Sequence, residues 1–364
     1  MATIWRFLGL CACVGLTSGM SLADDQIDCG AYPAPVISLD FGSPYRADSE
    51  FRNVMDPDAK ERVEEALSET DDYIRYLSRT VTTLFERSAI PYPELSLVEQ
   101  IGACVETALM DWAYVDALGR LDSFNANLTF GSRLAAIAIN YSRIRDDISD
   151  STHKLILDAW LRSLAWRQVL FWETQASEGA RQGNLRAWAA LGLVVVGTTL
   201  EDQALITEGV RGHQAVLCSA QPDGSLPIEM RRGRYALFYQ NHATMPLVVT
   251  TAWMRHQAPA DLQQDLRVSC DNALERVVSY TLDDLVTGET SQAYSGEEQS
   301  FFDGTATIEQ YMMAWLPALY SLEMQVQTPD PSLLFSTAYN SKLGGDQMLV
   351  WGAYFPADHD PLEH

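Results

Sequence analysis

The chain has 364 residues, and its 49 acidic side chains outnumber the 25 basic ones, so the formal net charge at pH 7 is −24. A negative field of this size argues against nucleic acid or an anionic membrane as a partner. The length suits either two ordinary domains or one large toroid with a single core. An acidic protein that acts on a polyanion must gather its positive charge locally. Arginine outnumbers lysine 22 to 3, which is compatible with carboxylate binding and equally with genomic composition.

The first residues have the pattern of a secretory signal. Arg6 supplies a basic charge, residues 7–16 form a short apolar run, and a small-residue cleavage site precedes Asp24. We therefore predict that residues 1–23 are a cleaved signal peptide and that residues 24–364 form one domain, periplasmic or secreted. No later segment is apolar over a length that would span a bilayer.

Four cysteines remain in the predicted mature chain: Cys29, Cys104, Cys218 and Cys270. Four cysteines in an exported protein indicate up to two disulfides, and the sequence allows three ways of pairing them. We favour the pairs Cys29–Cys104 and Cys218–Cys270, with free buried thiols as the alternative.

Apolar residues at three- and four-residue spacing predict an almost entirely helical chain. The predicted helices cover residues 57–88, 94–120, 128–148, 150–173, 184–198, 201–218, 235–256, 260–286 and 306–323. The pair Asp56-Pro57 opens the first helix, because a proline near the start loses no helical hydrogen bond. Asn53 and Asp56 are its candidate caps.

Strand-like alternation is nearly absent from the sequence. The longest irregular stretches, residues 24–55, 219–234 and 287–305, are expected to serve a site or its edges. Antiparallel helix pairs with short turns suit a bundle, a solenoid or a toroid, and the lack of a fixed repeat weighs against a solenoid. We predict an all-α fold, an α/α toroid (barrel) of antiparallel helix pairs with a cleft at one end.

The segment from Asp223 to Tyr239 carries the densest chemical signal. A tight glycine turn is followed by Arg231, Arg232 and Arg234, and Tyr239 stands seven residues after Arg232. An arginine can bind a carboxylate, and its field favours the phenolate form of a nearby tyrosine. This pair suits an enzyme that removes a proton next to a carboxylate.

Two motifs resemble the alginate lyases of polysaccharide lyase family five. Residues 223–247 read DGSLPIEMRRGRYALFYQNHATMPL, where the family has DG-LP-E, basic residues and R-AL-YHNYA-xPL. Residues 183–188 read GNLRAW, where the family has NNHxYW. The resemblance, which covers residues 29–323, implies an incomplete α/α barrel. It also implies β-elimination: a group neutralises the carboxylate of a uronate, a base removes the C5 proton, and O4 leaves to give a 4,5-unsaturated end.

The resemblance assigns roles to individual residues. It implies that Tyr239 acts as the base and then protonates O4, and that Arg232 and Asn184 neutralise the substrate carboxylate. Leu185 stands where the family has its histidine. His242, three residues beyond Tyr239 and on the same helical face, either restores an imidazole near the substrate or packs between helices.

A second set of residues is expected to contact the substrate. Tyr45 corresponds to the family's lid tyrosine, and Arg46 is a candidate replacement for the lysine that usually precedes it. Trp188 matches the tryptophan of the second motif. The full set of expected substrate contacts is Arg231, Arg234, Gln240, Asn241, Trp188, Tyr45 and Arg46.

The expected substrate is poly-β-D-mannuronate (alginate), with glucuronan next, because H5 and O4 lie on the same side in both uronates and one tyrosine can then serve as base and acid. We expect a monomer that acts on an anionic polysaccharide without a metal or another cofactor.

One alternative is a catalytically degenerate periplasmic protein that binds a polyuronate. Another is a glycoside hydrolase with two carboxylates, for which the candidates are Asp223, Glu229, Glu297 and Glu298. Each of these carboxylates also has a simpler role in a turn, an ion pair or a solvated loop.

Overall fold

The computed structural model describes residues 28–49, 51–90, 93–260, 262–326 and 339–355. The predicted signal peptide lies outside the described residues. The α-helices are α1 (Pro57–Ser88), α2 (Leu95–Tyr114), α3 (Phe124–Thr129), α4 (Gly131–Ile144), α5 (Ser151–Thr174), α6 (Asn184–Thr199), α7 (Gln203–Leu217), α8 (Pro227–Met230), α9 (Ala236–His256), α10 (Ala273–Thr287), α11 (Glu289–Ser295), α12 (Leu316–Ser321) and α13 (Gln347–Trp351). Four two-residue strands form two small sheets. β1 (Ser38–Leu39) pairs in parallel with β2 (Arg120–Leu121), and β3 (Tyr339–Asn340) pairs antiparallel with β4 (Gly345–Asp346).

The predicted start of α1 is confirmed at atomic detail. Asp56 Oδ1 accepts a hydrogen bond from the backbone N–H of Ala59 at 3.0 Å, and Pro57 takes the first helical position. Asn53 is not the cap, since its side-chain oxygen accepts from the Ser49 hydroxyl.

Two predicted helices are much shorter than the apolar spacing suggested. The helix predicted over 260–286 begins only at α10, because the three residues before it, Cys270, Asp271 and Asn272, have positive φ angles of 54°, 57° and 59°. This left-handed backbone cannot continue into a helix. In the helix predicted over 306–323, only α12 is α-helical, after a 3₁₀ turn at Gln310–Met313.

The helices form two layers. Helices α1, α4, α6 and α9 pack side by side as an inner layer, and α2, α5, α7 and α10 lie outside them. Helix α6 is buried on almost every side, as expected for an apolar helix at the centre of a large core. It approaches α4 so closely that a Cβ on Gly131 would lie 2.5 Å from the backbone nitrogen of Ala189.

The inner helices run parallel to one another. Trp188 and His242, near the starts of α6 and α9, are in contact, and Trp253 donates to Thr198 near the ends of the same helices. Helices α1 and α4 are also parallel, since Arg133 pairs with Asp71 and, seven residues later in both helices, Asn140 donates to the Ser78 hydroxyl. The N-terminal ends of the inner helices therefore lie at one end of the toroid, which is the all-α architecture predicted from the sequence.

Both predicted disulfides are present. Cys29–Cys104 joins the N-terminal segment to α2, and Cys218–Cys270 joins the end of α7 to the turn before α10. Within the described ranges, no helix combines the length and the apolar character needed to cross a membrane.

Candidate active site

A cleft opens at the N-terminal ends of α6 and α9. Its walls include Tyr45, residues 51–53 and the segment 223–235 that precedes α9, and it contains a cavity of about 200 Å³ lined by Asn184, Leu185 and Arg232, among others. The stacked pair Phe51 and Arg231 borders this cavity and a second one of about 530 Å³.

The segment 223–235 is shaped by a turn at its start. Gly224 has φ +96°, and a side chain there would collide with the carbonyl of Arg276. The Asp223 carboxylate accepts from the backbone N–H of Ser225 at 3.0 Å. Gln240 closes the turn, because its Oε1 accepts from Leu226 N at 2.9 Å and its Nε2 donates to the Gly224 carbonyl at 3.1 Å. The turn thereby directs the following arginines toward α9.

Arg232 is held between three partners and is largely buried. Its Nε lies 3.8 Å from Glu229 Oε2, and its Nη1 donates to the backbone carbonyl of Arg52 at 3.1 Å. Its guanidinium carbon lies 4.6 Å from the centre of the Tyr239 ring. This places a fixed positive charge beside the tyrosine, as the spacing in the sequence indicated.

Tyr239 is a phenol rather than a phenolate in the free enzyme. Burial raises its pKa well above the ordinary value of 10, and Tyr45, whose hydroxyl is hydrogen-bonded to the Tyr239 hydroxyl, raises it further. Arg232 lowers this pKa, as expected from the sequence, but burial and Tyr45 outweigh it. In this state Tyr239 is arranged to donate a proton.

A buried carboxylate organises the opposite side of the cleft. Glu229 is fully buried, and its Oε1 accepts from the backbone N–H of Asn184 at 2.7 Å while its Oε2 accepts from Asn184 Nδ2 at 3.0 Å. Burial raises the pKa of Glu229, whereas Arg232 and the two hydrogen bonds from Asn184 lower it. The Glu229 carboxylate thus fixes which way the Asn184 amide faces.

His242 completes this arrangement. Its Nδ1 lies 3.1 Å from Asn184 Oδ1 and 3.3 Å from Trp188 Nε1. Burial, with Lys342 and Arg232 nearby, lowers the pKa of His242 to about 3, so the imidazole is neutral at pH 7. Its ring centre lies 6.4 Å from that of Tyr239.

The four residues predicted to be catalytic, Tyr239, Arg232, Asn184 and His242, therefore lie together. Of the expected substrate contacts, Tyr45 lies in the cleft, and Arg231 lines it with its guanidinium 4.3 Å from the centre of the Phe51 ring. Trp188 is buried and contacts His242 rather than open space.

Four expected substrate contacts have other hydrogen-bond or ion-pair partners within the protein. Gln240 closes the turn described above, and Asn241 is buried with hydrogen bonds to the Met312 carbonyl and Trp315 Nε1. Successive helical residues are rotated by about 100°, so these two side chains leave α9 away from the face that holds Tyr239 and His242. Arg234 pairs with Asp303 at 3.1 Å, and Arg46 pairs with Asp48 at 2.7 Å.

Leu185, which stands where the resemblance places the family histidine, lies in an apolar wall. Leu185 lines the cavity and packs against a small hydrophobic cluster that includes Leu128 and Phe171. An imidazole does contact Asn184, which lines this cavity, but it comes from α9 and not from the start of α6.

Sequence reasoning missed several residues of the site. Phe51 and Arg52 lie in an irregular stretch without a pattern, although that stretch was expected to border the site. Lys342, which affects the pKa of His242, lies beyond residue 323, where the resemblance ends. Its own pKa is lowered by burial and by Arg133.

The carboxylates proposed for a hydrolase have other roles. Asp223 holds the turn and also accepts from the Tyr294 hydroxyl at 2.6 Å. Glu229 is occupied by Asn184, while Glu297 and Glu298 are exposed on a loop. Among the residues that the structure describes, no group of three or more His, Cys, Asp or Glu side chains is placed to hold a metal ion.

Comparison with known proteins supports the resemblance seen in the motifs. A family model described as "Alginate lyase" matches residues 120–290. A polysaccharide lyase of Stenotrophomonas maltophilia (strain K279a) is 25% identical over 307 residues, which cover 82% of this chain and 83% of the relative. An alginate lyase of Pseudomonas fluorescens (strain SBW25) is 25% identical over 309 residues, which cover 82% and 77%.

Solved structures show the same fold. Alginate lyase A1-III in complex with a tetrasaccharide matches with a TM-score of 0.71 and 21% identity, covering 89% of this chain and 86% of that one. The structure of A1-III from Sphingomonas species A1 matches with a TM-score of 0.69 and 19% identity, covering 89% and 87%. The chain is thus similar to alginate lyases over most of its length, with a match to the alginate lyase family model over residues 120–290, and it has the α/α toroid fold of the solved alginate lyase structures.

Proposed function

We propose that this chain cleaves a 1,4-linked polyuronate by β-elimination, with poly-β-D-mannuronate (alginate) as the first candidate substrate and glucuronan as the second. The observation that carries the proposal is the convergence of Arg232, Asn184, Tyr239 and His242 on one cleft. Relatives named alginate lyases, and the tetrasaccharide complex of alginate lyase A1-III, support a uronate polymer as the substrate.

Carboxylate neutralisation comes from two groups. Arg232 supplies a full positive charge in a largely buried position. Asn184 uses one N–H of its amide on Glu229 and has a second N–H for the substrate. Because Asn184 is the first residue of α6, the partial positive charge of the helix N-terminus adds to the same field. Together these groups stabilise the charge that develops on the carboxylate when C5 loses its proton.

Proton transfer involves Tyr239 and His242. Tyr239 carries a proton in the free enzyme, so it can donate directly to the leaving O4. To remove the C5 proton itself, Tyr239 must first become a phenolate, which becomes easier when substrate displaces the Tyr45 hydroxyl and leaves the field of Arg232 as the main influence. His242 is the second proton acceptor of the cleft, and a bound uronate carboxylate would raise its pKa by offsetting Arg232 and Lys342.

The stereochemistry of the substrate decides whether Tyr239 alone can transfer both protons or whether His242 must remove the C5 proton. With mannuronate or glucuronate, Tyr239 can reach both H5 and O4 from one side. With guluronate the two groups lie on opposite faces, so a second residue must remove the proton, and His242 is the candidate for that role.

The test is the ultraviolet absorbance of the unsaturated uronate end, followed over time on poly-mannuronate, poly-guluronate and glucuronan separately. We expect a rise on poly-mannuronate or glucuronan that Tyr239→Phe abolishes. Tyr73→Phe is the matched control, because Tyr73 is a buried tyrosine that donates to the Ala108 carbonyl away from the cleft. Binding of a polymer without any absorbance rise would instead identify a degenerate polyuronate-binding protein, the reading that the loss of the histidine at Leu185 favours.

A further inference from the structure

The tautomer of a neutral histidine decides what it can do, because one ring nitrogen donates and the other accepts. Nδ1 of His242 lies close to two groups, one that accepts a hydrogen bond and one that donates a hydrogen bond. Asn184 Oδ1, at 3.1 Å, requires a proton on Nδ1, whereas the N–H of Trp188, at 3.3 Å, requires a lone pair there. Only one of these two hydrogen bonds can exist at a time.

The orientation of the Asn184 amide settles this competition. Glu229 accepts from both the backbone N–H and the Nδ2 of Asn184, and Arg232 Nε lies 3.8 Å from its Oε2. This positive charge favours the ionised carboxylate, which has no proton to donate. The NH₂ group of Asn184 must therefore face Glu229, and its Oδ1 must face His242. An amide oxygen opposite an imidazole lone pair is repulsive, so the proton lies on Nδ1.

We propose that Glu229 is a positioning residue that, through Asn184, holds His242 as the Nδ1–H tautomer with the Nε2 lone pair available as a proton acceptor in the cleft. His242 is partly exposed, and among the described residues Nε2 has no hydrogen-bond partner. The imidazole is then set to receive a proton, while the phenol of Tyr239 donates one. This inference rests on the proposed elimination and selects the route in which His242 accepts the C5 proton and Tyr239 donates a proton to O4, instead of the route in which Tyr239 does both.

The variant Glu229→Gln tests the hydrogen bonds that link Glu229 to Asn184 and Asn184 to His242, because the side-chain volume hardly changes. The new glutamine has a single amide oxygen, and this oxygen must accept the hydrogen bond from the backbone N–H of Asn184. The glutamine NH₂ then faces the Asn184 side chain and forces its amide to rotate, which turns Asn184 Nδ2 toward His242. Nδ1 becomes an acceptor, and the proton moves to Nε2.

The measurement is the ¹⁵N NMR spectrum of protein labelled on the histidine rings, with His242 assigned from His242→Gln. We expect a protonated Nδ1 in the wild type and a protonated Nε2 in Glu229→Gln. We also expect kcat to fall by about 10²-fold, the usual contribution of a general base, with a smaller change in KM. In Trp188→Phe, which removes the competing donor, we expect the wild-type tautomer.

Asp284→Asn is the matched control. Asp284 is a buried carboxylate that accepts two backbone N–H groups, from Thr290 at 2.8 Å and Ser291 at 2.9 Å, outside the cleft. We expect it to lower the melting temperature without changing kcat or the tautomer of His242. A protonated Nε2 in the wild type, or an unchanged tautomer in Glu229→Gln, would overturn the inference. So would a reversed tautomer with full kcat. A wild type with the expected tautomer but no unsaturated product on any polymer would overturn the proposed function instead.

Discussion

Replacing Arg232 by lysine tests the role of the planar guanidinium separately from that of its positive charge. Lysine keeps the positive charge but cannot reproduce the fork of donors. In the structure this fork places Nη1 on the Arg52 carbonyl at 3.1 Å and the guanidinium carbon 4.6 Å from the centre of the Tyr239 ring. Lysine would lose the fixed position from which Arg232 meets both the substrate carboxylate and the tyrosine.

The expected loss follows from the groups involved. A hydrogen bond to a charged group contributes about 1.5–3 kcal/mol, and each 1.4 kcal/mol changes a rate by about tenfold. We therefore expect Arg232→Lys to lower kcat/KM by about 10- to 100-fold. Because the interaction strengthens as the enolate forms, kcat should fall and not only KM rise.

The assay is the initial rate of absorbance increase from the unsaturated end, at several concentrations of the preferred polymer, with thermal unfolding as the check on folding. Arg234→Lys is the matched control, since Arg234 stands two residues later and pairs with Asp303 on a partly exposed surface. We expect this control to keep the wild-type kcat/KM. The reasoning fails if Arg232→Lys stays within about threefold of the wild type, a difference below 1 kcal/mol, or if Arg234→Lys loses as much.

Three further predictions concern stability and the altered motif. His213 is fully buried, its ring nitrogens have no partner among the described residues, and burial lowers its pKa to about 3. The unfolded chain therefore binds a proton below pH 6.5 that the folded chain refuses, so His213→Leu should stabilise the protein by about 2 kcal/mol more at pH 5 than at pH 7. Equal gains in the free energy of unfolding at pH 5 and pH 7, measured by denaturant titration, would contradict this. Replacing Cys218 and Cys270 by serine should lower the free energy of unfolding by about 2–4 kcal/mol but leave kcat unchanged, because this disulfide lies outside the cleft; a large loss of kcat in the folded variant would argue otherwise. Leu185→His should destabilise the protein by about 1–3 kcal/mol without raising kcat, because the new imidazole enters an apolar wall; a gain in kcat would show that the family position still functions.

Local sequence signals were sufficient for the helical skeleton and the central motif. The start of α1 at Asp56-Pro57 and the glycine turn at residue 224 have local signals, so composition and spacing reveal them. The choice of Asp56 over Asn53 as the cap, and the closure of the turn by Gln240, came only from the structure. The pairing of Arg232 with Tyr239 was also accessible, because a short turn and one helix connect them. The end of the helix predicted over 260–286 was not, because three left-handed residues and a disulfide interrupt an otherwise helical pattern.

The sequence by itself determined the all-α architecture, the resemblance to alginate lyases and the residues that form the centre of the cleft, whereas it only favoured the two disulfide pairs that the structure contains. Only the tertiary structure decided which neighbours of Tyr239 face that cleft. Gln240 and Asn241 carry the same kinds of donor as a substrate-binding residue, but their direction depends on how α9 is rotated against its neighbours. The structure also decided protonation, since Tyr239 stays a phenol and His242 stays neutral because of burial. Burial depends on contacts between segments far apart in the chain, and no local pattern records them.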